Sequence, residues 1–376
     1  MLRSHLCTLT RTSSACLQVS HRKFSTSTEI STPLRFLATW GNGDCGRLGH
    51  GEVRGEVYPR KVLGLNDANV KDVSCGGAHT AAVTEDGRLF TWGLNDRGQL
   101  GRSPEGSQCE VPGEVRGIEE RVVSVAAGHY HTLCVTESGS VWAFGCNRKG
   151  QLGVKSNEAA VYAPRQLSSF GSVKIARVDG GAEHSLACTL DGEMYSWGCA
   201  GSGRLGHGDV AWWKFKTNSQ EHAPRLVQKM RGVKITGVSA GHMHSACVDQ
   251  DGLLYTFGYG RFFQLGLDSD RDHSVPTLVH KAHAVQSVSC GGNHSVAHNF
   301  NGQVLVWGAN DNGVLGLGLE DKGMPEPRVL ERVDAVQVAS GWKHSAAITS
   351  KGTVLTWGWG GSMGSAVYVT YAAPRV

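Results

Sequence analysis

The stretch Gly341 to Gly358 reads GWKHSAAITSKGTVLTWG, and the same phrase recurs along the chain. Gly291 to Gly308 reads GGNHSVAHNFNGQVLVWG, and Gly241 to Gly258 reads GHMHSACVDQDGLLYTFG. Gly181 to Gly198 reads GAEHSLACTLDGEMYSWG, Gly128 to Gly145 reads GHYHTLCVTESGSVWAFG, and Gly76 to Gly93 reads GGAHTAAVTEDGRLFTWG. Each copy is G-x-x-H-[S/T], a short apolar run, a turn pair, a second apolar run, an aromatic residue and Gly. The turn pairs are Asp86-Gly87, Ser138-Gly139, Asp191-Gly192, Asp251-Gly252, Asn301-Gly302 and Lys351-Gly352. Asp-Gly and Asn-Gly supply the positive φ of a tight hairpin. The flanking runs are too short for core helices and rich in β-formers, so each copy predicts a β-hairpin. A lone hairpin is marginal in water, so the hairpins must pack on one another.

The repeated histidines are His79, His131, His184, His244, His294 and His344, spaced by 52, 53, 60, 50 and 50 residues. G-x-L-G follows at Gly46 to Gly49, Gly98 to Gly101, Gly150 to Gly153, Gly203 to Gly206 and Gly313 to Gly316. Proline recurs in the same register at 59, 112, 164, 224, 276, 327 and 374. A unit of about 50 residues with several short strands suggests a propeller blade. These residues resemble the regulator-of-chromosome-condensation repeat family over residues 36 to about 362. The resemblance implies an all-β, seven-bladed β-propeller.

Residues 34–362 hold the repeats, and 363–376 are a divergent, truncated start of a seventh. Arg35 to Gly41 reads as a hairpin's second strand without its first, and the C-terminal residues do not supply the missing half. The expectation is a seventh blade that is incomplete and leaves an exposed strand edge. Residues 1–33 carry Arg3, Arg11, Arg22 and Lys23, many Ser and Thr, and the single acid Glu29. That composition reads as a disordered mitochondrial transit peptide, with a chloroplast address as the runner-up. Its apolar runs are too broken for a membrane span.

Net charge is +4, of which the leader accounts for all but about +1. The body therefore lacks the broad positive field of a duplex-binding protein. The chain has 11 cysteines and no C-x-x-C, and those in the repeat strands read as small buried thiols in a reducing compartment.

No motif indicates catalysis, a cofactor or a metal. Gly41 to Gly46 matches G-x-G-x-x-G, but the repeat continues after it instead of a helix. His129-x-His131 and His242-x-His244 have metal-like spacing without a converging acid or thiol. Six copies of a His-Ser/Thr pair are implausible as six catalytic sites. The repeat histidines instead read as buried imidazoles bonding backbone between strands or blades. Phe263, in place of a glycine, marks a loop expected to differ locally.

One unit is longer by about eight residues, between His207 and Pro224. It contains Trp212, Trp213, Lys214, Phe215 and Lys216, an aromatic and basic cluster suited to partner binding or to stacking RNA bases. In the family's light-sensing branch, tryptophans cluster at the second position of G-x-x-H. Here that position holds Gly77, His129, Ala182, His242, Gly292 and Trp342, and a single tryptophan argues against photoreception. Leader and repeats together resemble the plant mitochondrial branch. That resemblance implies a non-enzymatic scaffold for protein or ribonucleoprotein partners in organellar RNA processing, such as intron splicing for complex I. The alternative it implies is guanine-nucleotide exchange on a small GTPase.

Overall fold

The computed structural model describes residues 7–9, 14–21, 34–102, 108–208, 220–318, 322–360 and 371–375. It is an all-β propeller. Five four-stranded antiparallel sheets stand separately, and the remaining strands form one continuous seven-stranded sheet. Within each repeat the second and third strands are the hairpin read from the sequence, and an inner strand precedes it. In the second sheet these three strands are Val70–Cys75, His79–Thr84 and Leu89–Gly93, with Cys109–Glu114 as the outer strand. The hairpin turns are three-residue loops, wider than the expected two. Thr84 N–H donates to Arg88 O at 3.0 Å, and only Gly87 takes positive φ (85°). A type I turn closed by a left-handed glycine has this form, which is why Ser138 and Lys351 serve before the glycine as well as Asp does.

The expectation of seven blades with the seventh incomplete is corrected on two points. First, the long strand Gly323–Ser340 pairs with Gln303–Ala309 through one part and with His344–Thr349 through the other. It fuses what would be two blades into one sheet. The cause is a short connector: only 331–334 lie between the buried Leu330 and Ala335, and Arg332 makes the bend alone at φ 64°. The corresponding connector between Val62 and Val70 carries a 3₁₀ turn, Leu63–Leu65.

Second, Leu34–Gly41 does not lack its partner strand. Ser14–His21 pairs with it over eight residues, from His21↔Leu34 to Ser14↔Gly41, and Cys7–Leu9 pairs with Ser14–His21 in turn. Two segments of the expected disordered leader are therefore strands of a closed four-stranded sheet, because they cover the edge that Leu34–Gly41 would otherwise expose. At the other end Tyr371–Arg375 pairs with Val354–Gly358 as the outer strand of the last unit. Cys7–Leu9 lies against both Val70–Cys75 and Gly323–Ser340, which closes the ring of inner strands. Trp40 packs on Ala339, Ala346 and Ile348 on one side, while Leu37 packs with Val73 and Trp92 on the other.

Adjacent blades are joined by one recurring polar device. His131 Nε2 lies 3.0 Å from Ser185 Oγ of the next blade, and Ser185 Oγ donates to Gln151 O at 2.7 Å. Trp197 Nε1 donates to the same carbonyl at 2.9 Å. His79 meets Thr132, His184 meets Ser245, His244 meets Ser295 and His294 meets Ser345 in the same way, at 2.9 Å each. The sequence reading expected backbone partners for these imidazoles; the partner is a hydroxyl. Since the hydroxyl proton is committed to the carbonyl, Nε2 must carry the imidazole proton. The accepting carbonyl belongs to the residue before Leu-Gly of the G-x-L-G phrase. Where Phe144 and Phe257 replace Trp, the indole bond is absent and the ring fills the same buried place.

The first glycine of each G-x-x-H turn is required by close approach. A Cβ at Gly128 would lie 2.1 Å from the His131 ring and 2.7 Å from Gly181 O. Phe263 keeps the left-handed φ (62°) of the glycine it replaces, and its loop has the usual bonds, Phe263 N to Gly260 O and Gly266 N to Phe263 O. The expected local difference there is absent. The cost of that φ is roughly 1 kcal/mol.

Burial holds the repeat histidines neutral. His79, His131 and His294 are pushed down to about 3 and His344 to about 4. Between those values and the ordinary 6.5 the unfolded chain binds more protons than the folded one. Stability is full above pH 6.5 and is lost as pH falls toward 3. Moving from pH 7 to pH 5 should cost roughly 2 kcal/mol per fully buried histidine, read as a steep fall of Tm in thermal melts. At constant pH, Ser185→Ala should destabilise by about 1–3 kcal/mol in urea titrations. Trp92→Phe should cost only ~1 kcal/mol, because two other blades already carry Phe at that place.

Candidate functional site

In every blade the strands alternate in direction, so the G-x-x-H turns and the loops before G-x-L-G lie at one end of the ring. The Asp-Gly hairpins and inter-blade connectors lie at the other. At the first end an axial cavity of about 570 Å³ opens, lined mainly by glycine and other small residues. A ring of main-chain bonds surrounds it. His129 N donates to Gly181 O at 3.1 Å, Ala182 N to Gly241 O at 3.3 Å, His242 N to Gly291 O at 3.1 Å and Gly292 N to Gly341 O at 3.3 Å.

Large and small residues alternate at the second position of these turns, and the alternation shapes the mouth. His129, His242 and Trp342 are separated by Ala182 and Gly292, with Gly77 preceding His129. His129 leans over Gly77, and Trp342 over Gly292. A Cβ at Gly77 would lie 1.9 Å from the His129 ring, and one at Gly292 would lie 2.6 Å from Trp342 Cδ1. The three rings meet: Trp342 stacks on His242 at 5.0 Å and meets His129 edge-on at 5.5 Å, and His129 stacks on Tyr130 at 4.3 Å. Trp342 keeps 44% of its surface exposed. The sequence reading placed these three at equivalent positions of the repeat but did not bring their rings together, because separations of 100 residues or more hide that they share one axis. The available signal was their common place in the repeat.

Burial holds both extra histidines below the usual imidazole range. For His129 the neighbouring His242 adds to the effect, for His242 Arg204 does, and Glu183 opposes it at each. Both histidines of the mouth are therefore neutral at physiological pH. Among the described residues no group of three or more His, Cys, Asp or Glu is placed to hold a metal. Gly41 to Gly46 enters the single 3₁₀ turn Asp44–Gly46 and no longer helix, so the phosphate-cradling geometry of a dinucleotide fingerprint is not formed. The described cysteines are free thiols, and burial pushes Cys134 up to about 12 and Cys188 to about 11. Such thiols are small core residues, not nucleophiles. Trp212, Trp213, Lys214, Phe215 and Lys216 lie outside the described residues. The chain leaves the described structure after Gly208 and re-enters it at Gln220, both at the end where the axial cavity opens.

The model of the RCC1-like domain matches residues 36–367, and the chain belongs to that family. The ultraviolet-B receptor UVR8 of Arabidopsis thaliana is 33% identical over 297 residues, 78% of this chain and 65% of the receptor. The mitochondrial RCC1 domain-containing protein RUG3 of the same plant is 31% identical over 273 residues, 69% of this chain and 59% of RUG3. The match thus spans less than two thirds of either relative's length. Among solved structures, human WBSCR16 superposes with a TM-score of 0.79 at 24% identity, covering 90% of this chain and 93% of that one. Prp20p of Saccharomyces cerevisiae gives 0.78 at 22%, covering 90% and 84%. These two likenesses concern the fold.

At the mouth, Glu183→Gln should lower the pKa of both His129 and His242, since the carboxylate raises each. His242→Ala should raise that of His129, since the His242 charge lowers it. Histidine-selective NMR titration checks both directions.

Proposed function

We propose that this protein is a non-enzymatic mitochondrial propeller that holds protein partners, including ribonucleoprotein factors, in organellar RNA processing such as the intron splicing that supplies respiratory complex I. The observation that carries the binding-module reading is geometric. Blade after blade sends two loops to the same end, and the inter-blade hydrogen bonds fix those loops relative to one another. Loops on such a frame form a preorganised contact surface with little ordering cost on binding. The likeness to RUG3, which is named as mitochondrial, supports the matrix address. Trp212, Trp213, Lys214, Phe215 and Lys216 are the partner-contacting segment in this reading. Their insertion enters and leaves at the end that carries Trp342.

The test is affinity purification from mitochondria with and without RNase, paired with transcript analysis after deletion of the gene. Unspliced organellar transcripts and reduced complex I are expected; normal splicing with normal complex I would overturn the role. Replacing the five insertion residues with serine should deplete captured partners at least tenfold while leaving the melting curve unchanged. Prp20p is described by its binding to Gsp1p and histones, and exchange on a small GTPase is the competing reading. Accelerated release of labelled GDP from a mitochondrial GTPase would replace the scaffold proposal.

A further inference from the structure

Beside Trp342 a second cleft, of about 310 Å³, opens between the loop Asp311 to Val314 and the turn Trp342-Lys343, with Asn293 and Asn312 on its walls. Its wall is an indole, and its rim carries amides, a carboxylate and an ammonium group. Amide and carboxylate groups are the donors and acceptors that read nucleobase edges, and an exposed indole is a stacking platform.

Charge at this end points the same way. Arg148, Arg261 and Lys343 stand at the tips of the same set of turns and loops, and none of them forms an ion pair with a described residue. Ion pairs occur at both ends, as in Arg97–Asp96 at 3.6 Å on this side and Arg88–Asp86 at 2.8 Å on the other, but these three cations stay outside them. Phe262, next to Arg261, is 42% exposed and meets Tyr259 edge-on at 5.9 Å. Lys343 Nζ lies 5.7 Å from the centre of the Trp359 ring. The end thus presents exposed aromatic faces beside cations that form no ion pair with a described residue. A backbone of regularly spaced phosphates bearing unstacked bases complements that pattern. A duplex, whose bases are already stacked, does not.

We infer that the end of the propeller bearing Trp342 binds single-stranded RNA directly, with one base stacked on Trp342 in the cleft beside Asn293 and Asn312. The phosphates run past Lys343 and Arg261, and Phe262 offers a second stacking face. This deepens the RNA-processing reading and rests on it for biological context, while the binding itself is testable without it.

The experiment uses the full chain and a fluorescein-labelled 20-nucleotide single-stranded RNA in anisotropy titrations across a salt series. Binding that weakens with salt is expected, with a log–log slope of about −2 for three phosphate contacts. Trp342→Ala should weaken binding about tenfold with little change of slope, and Phe262→Ala somewhat less. Arg261→Gln with Lys343→Gln should reduce the slope by roughly 1.4. Lys229→Glu with Lys234→Glu, at the opposite end, should change nothing. Circular dichroism melts confirm that each variant is folded, and Asn293→Leu tests the cleft without touching an aromatic residue. No binding at low salt, equal affinity for duplex RNA, equal competition by polyglutamate, or equal loss from the opposite-end variant would each overturn the inference. The outcomes separate the two proposals. RNA binding in vitro with normal splicing after gene deletion removes the organellar role alone; a splicing defect without RNA binding removes this inference alone.

Discussion

The relay from imidazole to hydroxyl to carbonyl is the interaction on which the rest of the molecule depends. It places three polar groups from two blades in a dry interface and satisfies most of their hydrogen-bonding capacity. His131 Nε2, Ser185 Oγ and Gln151 O form one such chain, with the Trp197 indole completing the carbonyl. Apolar packing alone would let neighbouring blades slide, because dispersion between flat sheets has little directional preference. A buried polar chain penalises any slip by the cost of an unmet donor or acceptor. The relay therefore sets the rotation from blade to blade, and repetition of that rotation closes the ring. Its weak point is acid: protonating the buried imidazole adds a charge for which Nδ1 of His79, His131, His184 and His344 has no partner among the described residues.

The same device positions the candidate site. The glycine that starts each turn lets the next blade's backbone approach, and the second residue then projects over the axis. In this chain the small residues make room for the large ones, since a Cβ at Gly77 would meet the His129 ring and one at Gly292 the Trp342 side chain. His129, His242 and Trp342 meet because the ring is rigid and their intervening neighbours are small. The candidate site is thus built from positions the scaffold leaves variable, while the positions that build the scaffold repeat almost unchanged.

How much of this was legible depends on whether a feature is local or periodic. The hairpins, the glycine-bearing turns and the unit length follow from the residues of Gly76 to Gly93 and its copies. Three-residue turns in place of two-residue ones change only the turn type. The buried state of His79 and its equivalents was readable, because six repeats of one imidazole cannot all be functional. Their hydroxyl partners were not, since each lies in the following blade roughly 50 residues away. The cleft beside Trp342 was invisible for the same reason: its walls come from turns and loops of two blades.

The sequence by itself determined the repeat, the hairpin in each unit and the family, because these rest on short-range backbone preferences and periodic burial. Tertiary structure alone decided the number of separate sheets, the closure of the ring and the company each ring-mouth residue keeps. A four-residue connector at 331–334 was enough to fuse two blades, and Ser14–His21 completed a sheet that the repeat pattern left open. Strand edges seek any compatible partner, whether or not it carries the repeat signature, so pairing beyond the pattern is settled by geometry in space.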